Sequence, residues 1–124
     1  MKNLFVGLIV VLSAFTAQAQ NGKMDQVKTI SLEQTEGAFT QEAITVKAGT
    51  YIFEISNKDV DHELGFVLAP KGKTEPENHI KAAYVTKTVA TNTTGYSNHV
   101  KLEKGEYVYF CPLNPTPEYT LIVK

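Results

Sequence analysis

The stretch at residues 102–112 reads LEKGEYVYFCP and decides the fold of this chain. Its turn residues, Glu103-Lys104-Gly105, separate two runs rich in β-forming side chains, at residues 98–102 and 106–110. The pattern predicts a β-hairpin whose second strand ends at Cys111, the only cysteine of the chain. A proline-rich loop at residues 111–117 follows, and a last strand is predicted beyond it.

Short apolar runs bounded by turn residues continue along the rest of the chain, at roughly ten-residue spacing. This spacing predicts an all-β sandwich of seven or eight strands. One segment differs: Pro76 suits a first helical turn and Thr74 suits its cap, so a short helical insertion is predicted over residues 75–84. Between residues 50 and 56 the alternation slips near Glu54, and Ile52 and Ile55 are expected to face the core. The predicted strands cover residues 27–34, 38–46, 50–56, 62–69, 86–90, 98–102, 106–110 and 118–123.

The N-terminus has the three parts of a secretory leader. Lys2 supplies the positive charge, an apolar run follows from Leu4 to Phe15, and an A-x-A pattern ends at Ala19. The alternative is a membrane anchor, but the run is shorter than the ~20 residues that span a bilayer. We therefore expect cleavage after Ala19, a loose tail at residues 20–26, one domain at residues 27–124, no membrane span in the mature chain, and a periplasmic or secreted location.

Charge and cysteine content narrow the function classes. The chain carries 12 basic and 13 acidic residues, a net charge of −1, with no basic patch that would suggest a nucleic-acid partner. A lone cysteine cannot form an internal disulfide, so Cys111 is a buried hydrophobe, a reactive thiol or a metal ligand. A nucleophilic cysteine activated by His62 is a further alternative, but nothing in the sequence suggests a substrate or an oxyanion hole. We therefore expect that the protein is not an enzyme.

Three segments together resemble the cupredoxin family: residues 48–57, residues 57–66 and residues 102–112, with residues 121–123 similar to the terminal strand of that family. The resemblance covers nearly the whole mature chain. It implies a Greek-key β-sandwich and a copper centre for electron transfer. A blue-copper centre holds the metal with two histidines, one cysteine thiolate and a weak axial methionine.

The resemblance implies only half of that ligand set here. His62 matches the early histidine and Cys111 matches the cysteine. Asn114 stands where the second histidine is expected, as a weak oxygen ligand, and no methionine follows it. His79 lies in the predicted helical insertion, which could fold over the same end, and is a further candidate. His99 alternates with apolar neighbours and is expected to face solvent.

Three hypotheses follow from this incomplete set. In the first, His62 and Cys111 hold copper, and because soft donors suit Cu(I), carriage or delivery fits better than rapid electron transfer. In the second, the protein is a metal-free binding or assembly module of the cell envelope. In the third, it is an electron-transfer protein whose missing ligands come from His79 or from a partner chain. We expect a monomer, with a redox or copper-exchange protein as partner.

Overall fold

The computed structural model describes residues 26–124, which form two β-sheets. The leader and most of the tail predicted above lie outside the described residues. The first sheet contains β1 (Val27–Thr35), β2 (Ala38–Phe39), β4 (Gly49–Asn57), β6 (Thr94–Tyr96) and β7 (Val100–Leu102). The second contains β3 (Ala43–Val46), β5 (Val67–Pro70), β8 (Gly105–Phe110) and β9 (Tyr119–Val123).

The first sheet is built around β4. Strand β1 runs parallel to β4, so that Gln34 lies opposite Asn57 at the end of both strands. Strand β2 pairs with the other edge of β1, and β6 and β7 share the remaining edge of β4. The second sheet has the order β3-β9-β8-β5, with β3 parallel to β9. The two sheets confirm the predicted all-β sandwich. The hairpin predicted over residues 98–110 is wrong, because β7 pairs with β4 in the first sheet while β8 pairs with β5 and β9 in the second.

The single strand predicted over residues 38–46 is two strands in different sheets. The chain bends at Thr40, whose amide donates a hydrogen bond to the Glu33 carbonyl at 2.9 Å. Strand β2 therefore closes a hairpin on β1, while β3 continues into the second sheet against β9. The period-two pattern continues through β2 and β3, so it does not indicate where the chain crosses from one sheet to the other.

Alternation along β4 is strict, with Tyr51, Phe53 and Ile55 buried between the sheets. The expectation that Ile52 faces the core is wrong, because it lies between two inward residues of a regular strand and is only half-buried. Phe53 packs on Phe66 with ring centroids 5.0 Å apart, and this pair belongs to the apolar core that joins the sheets.

The predicted helical insertion over residues 75–84 is two single 3-10 turns, Pro76–Asn78 and Lys81–Ala83. Between them the backbone is extended, with ψ of 141° at His79 and 95° at Ile80. The Ile80 amide donates instead to the Leu68 carbonyl at 2.8 Å. A regular helix does not form here because the insertion lies along the outer edge of β5 and hydrogen-bonds to the backbone of that strand.

The strand predicted over residues 62–69 is regular only from Val67 onward. Upstream, Leu64 and Val89 exchange two backbone hydrogen bonds of 3.0 and 2.9 Å in an isolated bridge. The strand predicted near residues 86–90 contributes only this bridge, and β6 was not predicted. Within residues 26–124 no helix is long and apolar enough to cross a bilayer.

The ionisation of Tyr109 makes the stability of the protein depend on pH in the alkaline range. Burial, together with the nearby Tyr119, raises the pKa of Tyr109 from 10.0 to about 12. Since its folded-state pKa lies above the unfolded value, its contribution to stability is complete below pH 10 and is lost as the pH rises toward 12. We expect Tyr109→Phe to lower the free energy of unfolding by about 1 kcal/mol at pH 8, because the bond to the Gln41 carbonyl is lost.

The difference between wild type and Tyr109→Phe should then shrink above pH 10 and reverse in sign before pH 12, because a pKa raised from 10.0 to about 12 outweighs a bond worth about 1 kcal/mol. Urea denaturation at pH 8, 10 and 11.5 measures it. A difference that stays constant over this range would show that Tyr109 titrates normally.

Candidate functional site

The rows of inward-facing side chains end in polar residues at one end of the sandwich. On β1, buried Ile30 and Leu32 are followed by Gln34, and on β4 the inward row ends at Asn57. The row that includes Tyr109 on β8 ends one step beyond the strand, at Cys111. Because side chains alternate strictly in a strand, these positions belong to the core face although their chemistry is polar. The candidate site is built on this polar end.

Asn57 organises the segment that carries His62. Its side-chain oxygen accepts the Val60 amide at 2.9 Å, and its nitrogen donates to the carbonyls of His62 at 3.0 Å and Val89 at 3.1 Å. The turn also uses Asp59 at φ 61°, in the left-handed region that asparagine and aspartate tolerate better than most residues. One buried amide therefore determines the path of the chain from β4 to His62.

His62 itself is exposed, although Val60 and Leu64 on either side are buried. Its Nδ1 lies 3.0 Å from the carbonyl of Glu63. In a regular strand, alternation with Val60 and Leu64 would turn the imidazole inward or to the rim of the sandwich. The chain instead bends at residues 61–62, and the alternation rule does not apply there.

Cys111 is buried, with 1% of its surface exposed. Its Sγ accepts the amide of Gly65 at 3.3 Å, and its own amide donates to Thr116 Oγ1 at 3.1 Å. The first bond joins the cysteine loop to the segment that carries His62, three residues before Gly65. The second closes the proline-rich loop on itself.

Asn114 reaches the same end but points toward the turn between β1 and β2. Its Oδ1 accepts the Gly37 amide at 2.7 Å, and its Nδ2 donates to Gln34 Oε1 at 3.1 Å and to the Thr35 carbonyl at 2.8 Å. The side chain is 2% exposed. The oxygen that would have to ligate a metal is thus already an acceptor within the protein.

His79 lies beside the site, with both ring nitrogens hydrogen-bonded. Nδ1 lies 2.8 Å from the Tyr84 hydroxyl and Nε2 lies 3.0 Å from the Thr74 carbonyl. The ring also meets Phe110 edge-on, with centroids 6.0 Å apart. A surface recess of about 320 Å³ separates this group from the exposed Leu113. His99 is exposed, as predicted.

A four-ligand blue-copper set does not fit these residues. Within residues 26–124 no group of three or more histidine, cysteine, aspartate or glutamate side chains converges to hold a metal ion. Asn114 is fully engaged, and the two methionines, Met1 and Met24, precede the described residues. What remains is one buried thiol, Cys111, and one exposed imidazole, His62.

Gln34 belongs to this site and was missed by the sequence prediction. It is 0% exposed and donates to the Gly65 carbonyl at 2.9 Å. The signal was present, because Ile30 and Leu32 set a period of two that places Gln34 on the core face. A glutamine on that face requires buried hydrogen-bond partners, and these partners lie far away in the sequence.

The chain belongs to the cupredoxin-like domain family. The family model described as "Cupredoxin-like domain" matches residues 5–123, nearly the whole chain. The predicted family resemblance is therefore confirmed. A search of curated protein sequences finds no match.

Solved structures with the same fold include several copper proteins. Auracyanin A, a "blue" copper protein from Chloroflexus aurantiacus, superposes with a TM-score of 0.64 at 19% identity, over 80% of this chain and 100% of that one. Reduced auracyanin from Roseiflexus castenholzii gives 0.60 at 16%, over 77% and 96%. Blue copper oxidase from Nitrosomonas europaea gives 0.57 at 12%, over 80% and 39%. At these identities the likeness shows the fold alone.

Removing the Asn57 amide tests its part in the site. Asn57→Ala leaves the Val60 amide and the His62 carbonyl without their side-chain partner and removes one of the two donors to the Val89 carbonyl, so we expect a loss of about 2–4 kcal/mol in the free energy of unfolding. The control is Asn92→Ala, whose exposed side chain accepts a single bond from the Asp59 amide. Urea denaturation compares the two, and equal losses would contradict the assigned role.

Proposed function

We propose that this cupredoxin-like protein handles copper after export, holding Cu(I) through Cys111 with His62 as the second donor. The observation that carries the proposal is the hydrogen bond from the Gly65 amide to Cys111 Sγ, at 3.3 Å. It brings the segment with His62 onto the only thiol of the chain. Membership in the family supports the proposal, as does the fold shared with auracyanin A, a "blue" copper protein.

The two donors suit a carrier of Cu(I). Thiolate sulfur and imidazole nitrogen are ligands that this soft ion accepts, and bound copper would be carried or delivered from them. A blue-type electron carrier needs a second imidazole and an axial thioether as well. Asn114 offers an amide oxygen where an imidazole is needed, and that oxygen faces the β1–β2 turn, where it accepts the Gly37 amide. Carriage therefore fits the available donors better than rapid electron transfer.

The exposure of the two donors suggests separate roles. Nε2 of His62 makes no hydrogen bond to any of residues 26–124, so this exposed imidazole is available from solvent. Exposed side chains change rotamer within nanoseconds, which allows the ring to turn toward the loop. Cys111 is 1% exposed, so its thiol is reached only when the structure around it opens locally.

A second candidate function is a metal-free binding or assembly module of the cell envelope. Its support is the engagement of Asn114, which closes the loop with protein hydrogen bonds where the family resemblance would place a ligand. The third hypothesis, electron transfer completed by His79, has less support. To ligate a metal, His79 would have to release either Tyr84 from Nδ1 or Thr74 from Nε2.

The export of the protein from the cytoplasm is also proposed. The leader-like sequence ending at Ala19 predicts a periplasmic or secreted protein. The partner would then be a redox or copper-exchange protein, and the proposal assigns no catalytic role.

Competition with a Cu(I) chelator tests the copper proposal on protein purified from cells that express the full chain. We expect one Cu(I) per chain. Cys111→Ser should abolish Cu(I) retention. His62→Ala removes a ligand itself, so it should weaken Cu(I) binding by more than the roughly 10–100-fold lost when only a residue hydrogen-bonded to a ligand is removed. His99→Ala, a change at an exposed histidine outside the site, serves as the matched control and should bind as wild type does.

Three outcomes would change the assignment. If wild type retains no more Cu(I) than Cys111→Ser does, the copper proposal fails and the metal-free module is favoured. If His62→Ala and His99→Ala bind equally, the second donor is misplaced. An intense visible thiolate-to-copper band on adding Cu(II) would instead support a completed electron-transfer site.

A further inference from the structure

We infer that Gln34 and Asn114 form a buried clamp that closes the cysteine loop without any metal, and that residue 114 holds the loop in place and is not a ligand. The term amide clamp is used below for these two side chains. The inference does not rest on copper handling, because it concerns the hydrogen bonds that hold the loop, whether or not copper binds. It also decides whether the loop is ordered in metal-free protein.

Every polar atom of the clamp has a partner. Gln34 donates to the Gly65 carbonyl at 2.9 Å and accepts from Asn114 at 3.1 Å. Asn114 uses both hydrogens of its amide nitrogen, toward Gln34 and the Thr35 carbonyl, and its oxygen accepts from Gly37. A flipped Asn114 amide would set nitrogen against the Gly37 N–H and oxygen against the Thr35 carbonyl. These partners therefore determine the orientation of the amide.

The clamp reaches Cys111 through Gly65. Gln34 holds the Gly65 carbonyl, and the Gly65 amide donates to Cys111 Sγ at 3.3 Å. Asn114 lies three residues after Cys111 and binds back to Gln34. The contacts form a closed circuit that joins the end of β1, the segment before β5 and the cysteine loop.

Gly37 supplies the donor that Asn114 Oδ1 accepts, and its backbone conformation explains why glycine stands there. Its φ is 72°, a left-handed conformation that is costly for residues with a Cβ. The turn between β1 and β2 thereby presents its amide to the loop at 2.7 Å. Hairpin, clamp and loop thus depend on one another.

The clamp does by hydrogen bonding what metal ligands would do by coordination. It joins segments far apart in the chain, since Gln34 and Asn114 are separated by 80 positions. Buried amides are costly when unpaired, so the loss of either residue leaves the partners of the other unsatisfied. The loop should therefore stay closed over Cys111 in metal-free protein and open when the clamp is damaged.

The test measures the rate at which Cys111 reacts with a disulfide reagent such as DTNB, on the full chain in the presence of a metal chelator. Gln34→Met keeps the length of the side chain but can neither accept from Asn114 nor donate to Gly65. Asn114→Leu has a similar size but can neither accept from Gly37 nor donate to Gln34. Each change should raise the rate at least about tenfold, because local opening then exposes the thiol.

The control is Val100→Ala, a change at a buried residue of β7 that pairs with Tyr51, whereas Gln34 of the clamp lies opposite Asn57 at the other end of β4. It separates local opening from general destabilisation. Rates are compared after denaturant titration gives the free energy of unfolding of each variant. If the clamp variants react no faster than Val100→Ala at the same free energy of unfolding, the clamp does not hold the loop and the inference is wrong.

Two further measurements keep the inference testable if a variant fails to fold. In metal-free wild type, the Gly37 amide should exchange with solvent slowly, and exchange as fast as in an open turn would overturn the clamp. Asn114→His should not create a tight Cu(II) site with an intense thiolate band, and such a site would show that residue 114 faces a metal position. If wild type binds no Cu(I), the proposed function is wrong, but the exchange of the Gly37 amide and the Asn114→His variant still test the clamp.

Discussion

The end of the sandwich that carries Cys111 depends on a buried amide–amide hydrogen bond, from Asn114 to Gln34 at 3.1 Å. Two amides that have left water must find all their partners inside the protein, since each unpaired group costs about 1–3 kcal/mol. Here the partners come from the β1–β2 turn, from Gly65 and from the cysteine loop. The positions of these three segments therefore depend on the same set of bonds, which makes this end of the protein cooperative.

The alternation of side chains along three strands places the polar residues of the site at one end of the sandwich. The inward rows of β1, β4 and β8 consist of apolar residues until their last members, which are Gln34, Asn57 and Cys111. The apolar part joins the sheets through packed aromatic rings, and the polar part forms the end of the core. The site is thus connected to the apolar core through three strands and not through one loop.

Membership in the cupredoxin-like family identifies the fold, but function belongs to the site. In this chain the positions that the family resemblance assigns to copper differ in character. Cys111 is a buried thiol bonded to the Gly65 amide, His62 is an exposed imidazole, and Asn114 is committed to protein hydrogen bonds. The chain has the cupredoxin-like fold, but these positions supply fewer donors than a blue-copper centre uses. That combination is why carriage of Cu(I) and a metal-free role are the two functions to separate.

By itself the sequence determined the sandwich and the strand that leads to Cys111, because both depend on period-two patterning and turn residues over short stretches. The family followed from the resemblance of residues 48–66 and 102–112, but the pairing of β7 and β8 with different sheets did not. Only the tertiary structure decided the crossing at Thr40, the 3-10 turns in place of a helix, the exposure of His62 and the part played by Gln34. These features depend on hydrogen bonds between distant segments, such as Ile80 to Leu68 across the edge of β5. A local pattern shows that Gln34 faces the core, but its partners 31 and 80 residues away become visible only when the sheets are assembled.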